Sequence, residues 1–164
     1  ISDDAEEREF KLEPVIYCAG EDSLQAKAKT LKIKRQILPE VTLSYGGYQI
    51  SGTTGEVRIE VANKGKSKLS GEVIVSFVDL TTPATGKLPT ITDSGSCDNL
   101  GNGARCEVEG LEAGASASPF KLEVLLPDTT GGAAKIKIDA VFDSEHLEKE
   151  LSAEAPITLT IPVP

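Results

Sequence analysis

Two adjoining stretches within residues 55–80, GEVRIEVANKGKSKLSGEVIVSFVDL, restrict the fold more than anything else in the chain. Val57, Ile59 and Val61 alternate with Glu56, Arg58 and Glu60, the period of two expected of a strand with one dry face and one wet one. Asn63-Lys64-Gly65 then supplies turn residues. The stretch that follows is apolar on both sides, with Val73, Val75 and Phe77 on one and Ile74, Val78 and Leu80 on the other. That pattern belongs to a strand at the centre of a sheet and asks for apolar cover on two faces.

The strand signal recurs along the chain. Val41, Leu43 and Tyr45 alternate up to Gly46-Gly47, and Tyr48 and Ile50 are expected to continue the strand beyond that kink. Short strands are predicted at residues 107–110 and 120–126. Residues 134–142 carry Ile136, Ile138, Ala140 and Phe142 against Lys135, Lys137 and Asp139, and Ile157, Leu159 and Ile161 form a last strand. Residues 81–96, rich in Thr, Pro and Gly, read as irregular, and residues 144–151 as a helical turn or a charged strand. About seven strands and no long helix predict an all-β fold, a two-sheet antiparallel immunoglobulin-like sandwich. Val57, Val61, Val73, Val75, Phe77, Leu122, Val124, Ile136, Ile138 and Phe142 are expected to share its core.

At 164 residues the chain has room for one well-buried domain and an appendage. We place the sandwich at residues 39–164 and an N-terminal arm, or extra strands, at residues 1–38. The arm opens on an acidic run, ISDDAEERE, and its middle is extended in character: Phe10 and Leu12 alternate with Lys11 and Glu13, and Leu31, Ile33 and Ile37 with Lys32, Lys34 and Gln36. A helix over residues 23–30, capped by Ser23, is the competing reading there. Phe10, Leu12, Val15, Leu31, Ile33 and Ile37 are the residues through which such an arm would complete a sheet, in its own molecule or in a neighbour.

Cys97 and Cys106 flank DNLGNGAR, a turn-rich loop able to bring two short extended segments together. We read them as a disulfide. Two thiols in a reducing cytosol, or a metal site, are the alternatives; the metal site lacks a CxxC pair and has His146 as the chain's single histidine. Cys18 stands apart from both.

The net charge of −9 argues against attraction to a nucleic-acid backbone or an anionic lipid surface. No apolar run approaches the roughly 18 residues needed to cross a bilayer, so no membrane insertion is expected. Ile1 in place of Met is what a processed or excised product would carry. GxSxG, HExxH and Gly-rich phosphate-loop patterns are absent from the sequence, and no catalytic residue or cofactor is expected. Glu145, Glu148 and Glu150 near His146 read as a solvated face. Asp93, Asp98, Asn99 and Asn102 are weak Ca²⁺ candidates whose spacing matches no EF-hand, and turn formation is their preferred role. Tyr45 and Tyr48 about Gly46-Gly47 are candidates for a sugar-stacking surface, but a chain with three Tyr, four Phe and no Trp is under-equipped for one, and core or rim packing is their preferred role.

VRIEVANKGKSKLSGEVIVSF is similar to the strand, Asn-x-Gly turn, strand core of the immunoglobulin-like cell-adhesion-related domains of bacterial and archaeal surface proteins. The cysteine pair, then VEGLEAGASAS at 108–118, then FKLEVLLP and AKIKIDAVFDSE, resembles related surface repeats in which a Leu-x-x-Gly loop precedes two long hairpin strands. The likeness spans residues 39–162. It implies an extracellular structural or adhesive module of a cell-surface protein or assembly, with no catalytic residues to carry over. Its expected partners are other protein domains or copies of itself, met through sheet edges, with N-terminal strand donation as a route to filaments. A carbohydrate-binding or accessory domain of a secreted multidomain enzyme is the alternative.

Overall fold

A computed structural model describes residues 8–12, 15–16, 24–25, 29–33, 37–145, 151–152 and 156–164. In chain order the strands are β1 (Arg8–Leu12), β2 (Val15–Ile16), β3 (Leu24–Gln25), β4 (Lys29–Ile33), β5 (Pro39–Gly46), β6 (Thr54–Asn63), β7 (Leu69–Asp79), β8 (Thr90–Asp93), β9 (Asp98–Asn99), β10 (Gly103–Leu111), β11 (Phe120–Leu125), β12 (Ala134–Asp143), β13 (Leu151–Ser152) and β14 (Ile157–Ile161). The chain divides into two compact units, Ile1–Gln36 and Ile37–Pro164. In the first, β1 pairs with β4 and β2 with β3, both antiparallel. Leu24–Gln25 and Lys29–Thr30 are therefore strand, where a helix was the competing expectation.

The second unit is an all-β sandwich of two antiparallel sheets. One has the order β5-β6-β11-β8; the other runs β13-β12-β7-β10-β9, with β14 also paired to β12. Taken in chain order, these are the A-B-E-D and G-F-C arrangements of an immunoglobulin-like sandwich, with β9 and β10 inserted between D and E and laid beside C. β7 is central, flanked by β12 and β10, as its two apolar faces required. Its outer face is not sealed, however: Ile74 is half-buried, while Val78 and Leu80 are 43% and 41% exposed.

All ten residues expected in the core lie in one buried cluster, joined by Ile59, Leu69, Ile91, Leu126, Leu159 and Ile161 among others. Two deviations have local causes. β10 starts at Gly103, four residues earlier than predicted, because Ala104 and Cys106 continue the inward alternation of Val108 with side chains too small to announce it. Tyr48 and Ile50 do not extend β5: the Thr53 hydroxyl bonds to both their carbonyls, at 3.1 and 2.8 Å, and curls the chain into a loop.

Cys97 and Cys106 are bonded, with Cα atoms 4.4 Å apart. Both are buried in the core cluster, so the bridge ties the segment before β9 to β10 from inside. It is not the B–F inter-sheet bridge of antibody domains, and the Trp that packs on that bridge is absent from the sequence.

Asn63 does more than form a turn. Fully buried, it donates through Nδ2 to the carbonyls of Ser67 and Leu111 and accepts the Gly65 N–H at Oδ1, each at 2.9 Å. Its backbone bonds to Ala115 and Gly114, so one residue fastens the β6–β7 turn to the segment after β10. Asn63→Ala strands two carbonyls and is expected to cost about 2 kcal/mol in urea unfolding. A loss no larger than that of an exposed Lys66→Ala control would show the knot to be dispensable.

Candidate protein-interaction surfaces

β5 forms one edge of its sheet. Leu38 and Lys64 bond across the β5–β6 ladder, Lys64 N–H donating to the Leu38 carbonyl at 2.8 Å. Antiparallel alternation then turns the backbone groups of residues 40, 42, 44 and 46 toward β6, and those of Val41, Leu43 and Tyr45 toward the open side. Side chains alternate in the other sense. Val41, Leu43 and Tyr45 face the core; Glu40, Thr42 and Ser44 face out. Burial falls off toward this edge: Ile59 and Val57 on β6 are fully buried, whereas their register partners Leu43 and Tyr45 are only half-buried. Glu40, Thr42 and Glu60, with Ala117 and Pro119, line a shallow hollow of about 370 Å³ on the outer side.

Tyr45 lies over Gly55, where an added Cβ would collide with its ring. Its hydroxyl is buried without a hydrogen-bond partner, and burial raises its pKa above that of a free tyrosine. Tyr48, by contrast, is 79% exposed. The two tyrosines thus point into different environments and do not form a joint stacking platform.

The residues singled out as strand donors fall in both units. In the first, Phe10 is the register partner of Leu31, Arg8 of Ile33, Leu12 of Lys29, and Val15 of Gln25. Ile37 belongs to the second unit and packs partly buried against the sandwich core.

On the outer face of the other sheet, register places Glu107 opposite Glu72 and Glu72 opposite Asp143. Like charges directly across a ladder oppose pairing, and an ion pair of Arg105 with Glu72 at 3.2 Å offsets some of that. Glu72, Glu107, Glu109, Asp143 and Glu145 line a groove of about 570 Å³. Periodicity could not reveal this row, because its members meet only once strand order is known.

At the opposite end of the sandwich the loops are pinned to one another. Thr160 N–H bonds to Gln49 Oε1, Thr129 N–H to the Ser51 hydroxyl, and the Thr129 hydroxyl to the Pro162 carbonyl. Tyr48, Ile50 and Val163 are displayed there, 79%, 52% and 54% exposed. Asp79 organises the neighbouring loop by accepting from Thr81, Thr85 and Gly86. Bonds from the Thr81 hydroxyl and N–H, then from Gly86 and Thr85, hold its carboxyl well below the usual aspartate range. Asp128 is lowered in the same way, chiefly by the Thr130 N–H and hydroxyl.

A lowered folded-state pKa means that folding favours the carboxylate. The anchoring is fully present above the ordinary aspartate range near pH 4 and is lost as pH falls toward the depressed folded values. Acidification should therefore raise amide exchange at Thr85, Gly86 and Thr130 before it affects β6 or β12. Asp79→Asn should give that loosening at Thr85 and Gly86 at neutral pH. Unchanged exchange at both amides would remove Asp79 as the organiser.

Two of the four residues considered for Ca²⁺ make turn hydrogen bonds. Asp93 Oδ1 accepts from Gly95 N–H and Asn99 Oδ1 from Gly101 N–H, each at 2.8 Å. Asp98 pairs with Arg105 in the β9–β10 ladder, and the Asn102 carbonyl accepts from Phe77. Among the described residues no three His, Cys, Asp or Glu side chains form a metal-binding group. His146, Glu148 and Glu150 lie outside the described residues. Among the described residues no helix is long and apolar enough to cross a membrane.

No family model matches the chain. No curated protein matches it either. Among solved structures, the ASH / PapD-like domain of human CEP192 (PapD-like domain 7) is similar at 13% identity, over 76% of this chain and 84% of that chain, with a TM-score of 0.31. The immunoglobulin-like assignment stands on strand order, independently of that likeness.

Proposed function

We propose that this protein is a non-enzymatic structural or adhesive module of an extracellular, cell-surface assembly, joined to other protein domains or to copies of itself through sheet edges. The observation that carries this reading is the outer edge of the eight-residue strand β5, which among the described residues pairs with β6 alone, in a chain that also brings separate two-stranded ladders. An exposed edge is a template for a further strand, and main-chain bonding lends itself to joining repeated units. The buried disulfide supports a setting outside the reducing cytosol. The similarity of residues 39–162 to cell-adhesion-related surface domains points the same way. A carbohydrate-binding role is less well supported, since Tyr45 is turned into the sandwich and Tyr48 stands without it.

N-terminal strand donation is the mode of joining this reading favours, and filaments are its product when contacts repeat head to tail without closing. Light scattering and electron microscopy of the full chain, beside a chain starting at Ile37, test it. Concentration-dependent growth of the full chain and a folded, monomeric shorter chain are expected. A full chain that stays monomeric at every concentration would refute the reading.

A further inference from the structure

The free edges of β5 and β4 complement each other in backbone, side-chain pattern and charge. Val41, Leu43 and Tyr45 turn their N–H and C=O groups to the open side of β5, a window of five residues closed at one end by Pro39, which has no N–H. β4 is five residues long. Among the described residues its ladder partner is β1 alone, and that of β5 is β6 alone.

The side-chain patterns also match. A strand added to β5 continues its alternation, one face over the half-buried Leu43 and Tyr45 and the other beside Thr42, Glu40 with its ion-pair partner Lys64 at 3.5 Å, and, one strand further, Glu60. Leu31 and Ile33 suit the first face; Thr30, Lys32 and Lys34 suit the second. Charge separates this segment from the rest of the molecule. Lys27, Lys29, Lys32, Lys34 and Arg35 fall within nine residues that contain no carboxylate, in a chain of net charge −9. A two-stranded ladder is also marginal in water unless it joins a larger sheet.

We propose that the β5 edge of one molecule accepts the β1–β4 ladder of a second copy, adding β4 to β5. The four-stranded sheet then becomes six-stranded, in the order β1-β4-β5-β6-β11-β8. This rests on the reading that N-terminal strands join copies, and it deepens that reading by assigning the acceptor. Donor and acceptor are different surfaces, so each molecule offers one of each and the contact repeats without closing.

Full-length chains carrying Cys18→Ser provide the test. Residue 42 bonds back to β6, so it occupies the closely spaced kind of rung to an added strand, where a disulfide fits. Mixing Thr42→Cys chains with Lys32→Cys chains, or with Thr30→Cys or Lys34→Cys chains, should trap inter-chain heterodimers under mild oxidation. Thr158→Cys, on the other sheet, should not trap them. Glu40→Lys with Glu60→Lys should raise the concentration at which assembly begins roughly tenfold, and Lys32→Glu with Lys34→Glu on the partner copy should restore it.

Assembly by light scattering without trapping at residue 42, and indifferent to the charge reversal, would overturn the β5 assignment while leaving strand donation standing. A chain carrying both cysteines that closes only on itself would place the contact within one molecule and overturn the proposal. A full chain that remains monomeric throughout would overturn both the proposal and the reading beneath it.

Discussion

Replacing Phe142 with Ala is expected to lower the unfolding free energy by about 3–5 kcal/mol, the range for truncating a large aromatic at a site that cannot collapse. Phe142 is fully buried near the end of β12, opposite Val73 on β7 and Leu151 on β13. Its ring lies over Gly71, where a Cβ would come within 2.7 Å of Cζ. The glycine is thus the floor on which the ring rests, and two strands bound the sides. Little can move in to fill the space. Lys135→Ala, on the exposed face of the same strand, should change stability by less than about 0.5 kcal/mol. Urea unfolding followed by circular dichroism separates the two, and comparable small losses would mean that β12 faces the other way.

Cys97→Ala with Cys106→Ala should cost about 3–5 kcal/mol, and reduction of the unmodified protein about 3. On chain-entropy grounds, closing a loop of this size gives roughly 2–3 kcal/mol, and the substitution also removes two sulfurs packed in the core cluster. The first strand to loosen should be β9, whose two residues pair only with Ala104 and Arg105 on β10. Amide exchange before and after reduction would detect this. Equal protection at Asp98 and Leu100, whose amides fall on the bonded rungs of that hairpin, in both states would show that the bridge does not hold that segment.

The two strongest strand signals, β6 and β12, were legible apart from their ends because each buries one face and wets the other over ten residues. β7 was legible as central for the opposite reason, apolar side chains on both faces. β8 was not, since its four residues bury Ile91 alone in a Thr- and Pro-rich span. The bonds of Asn63 escaped notice because one partner, Leu111, is 48 residues away. The open edge of β5 was equally hidden: period two says which face is dry but not which strand lies outermost. The cysteine pair needed no such information, since a turn-rich spacer of eight residues brings its own ends together.

The polypeptide enters the sandwich at Ile37, beside the β6–β7 turn, and its last strand finishes at Ile161 opposite Ala134, at the other end. Tension applied between those two points therefore runs along the strands, not across them. The β5–β6 and β12–β14 ladders lie at the places where that load enters and leaves. Their hydrogen bonds stand perpendicular to the pull, so all the rungs are sheared together and must break in concert. Resistance under such loading is set by the rate of unfolding and not by its equilibrium. A pull directed across β5 would meet far less, peeling the strand from its partner rung by rung.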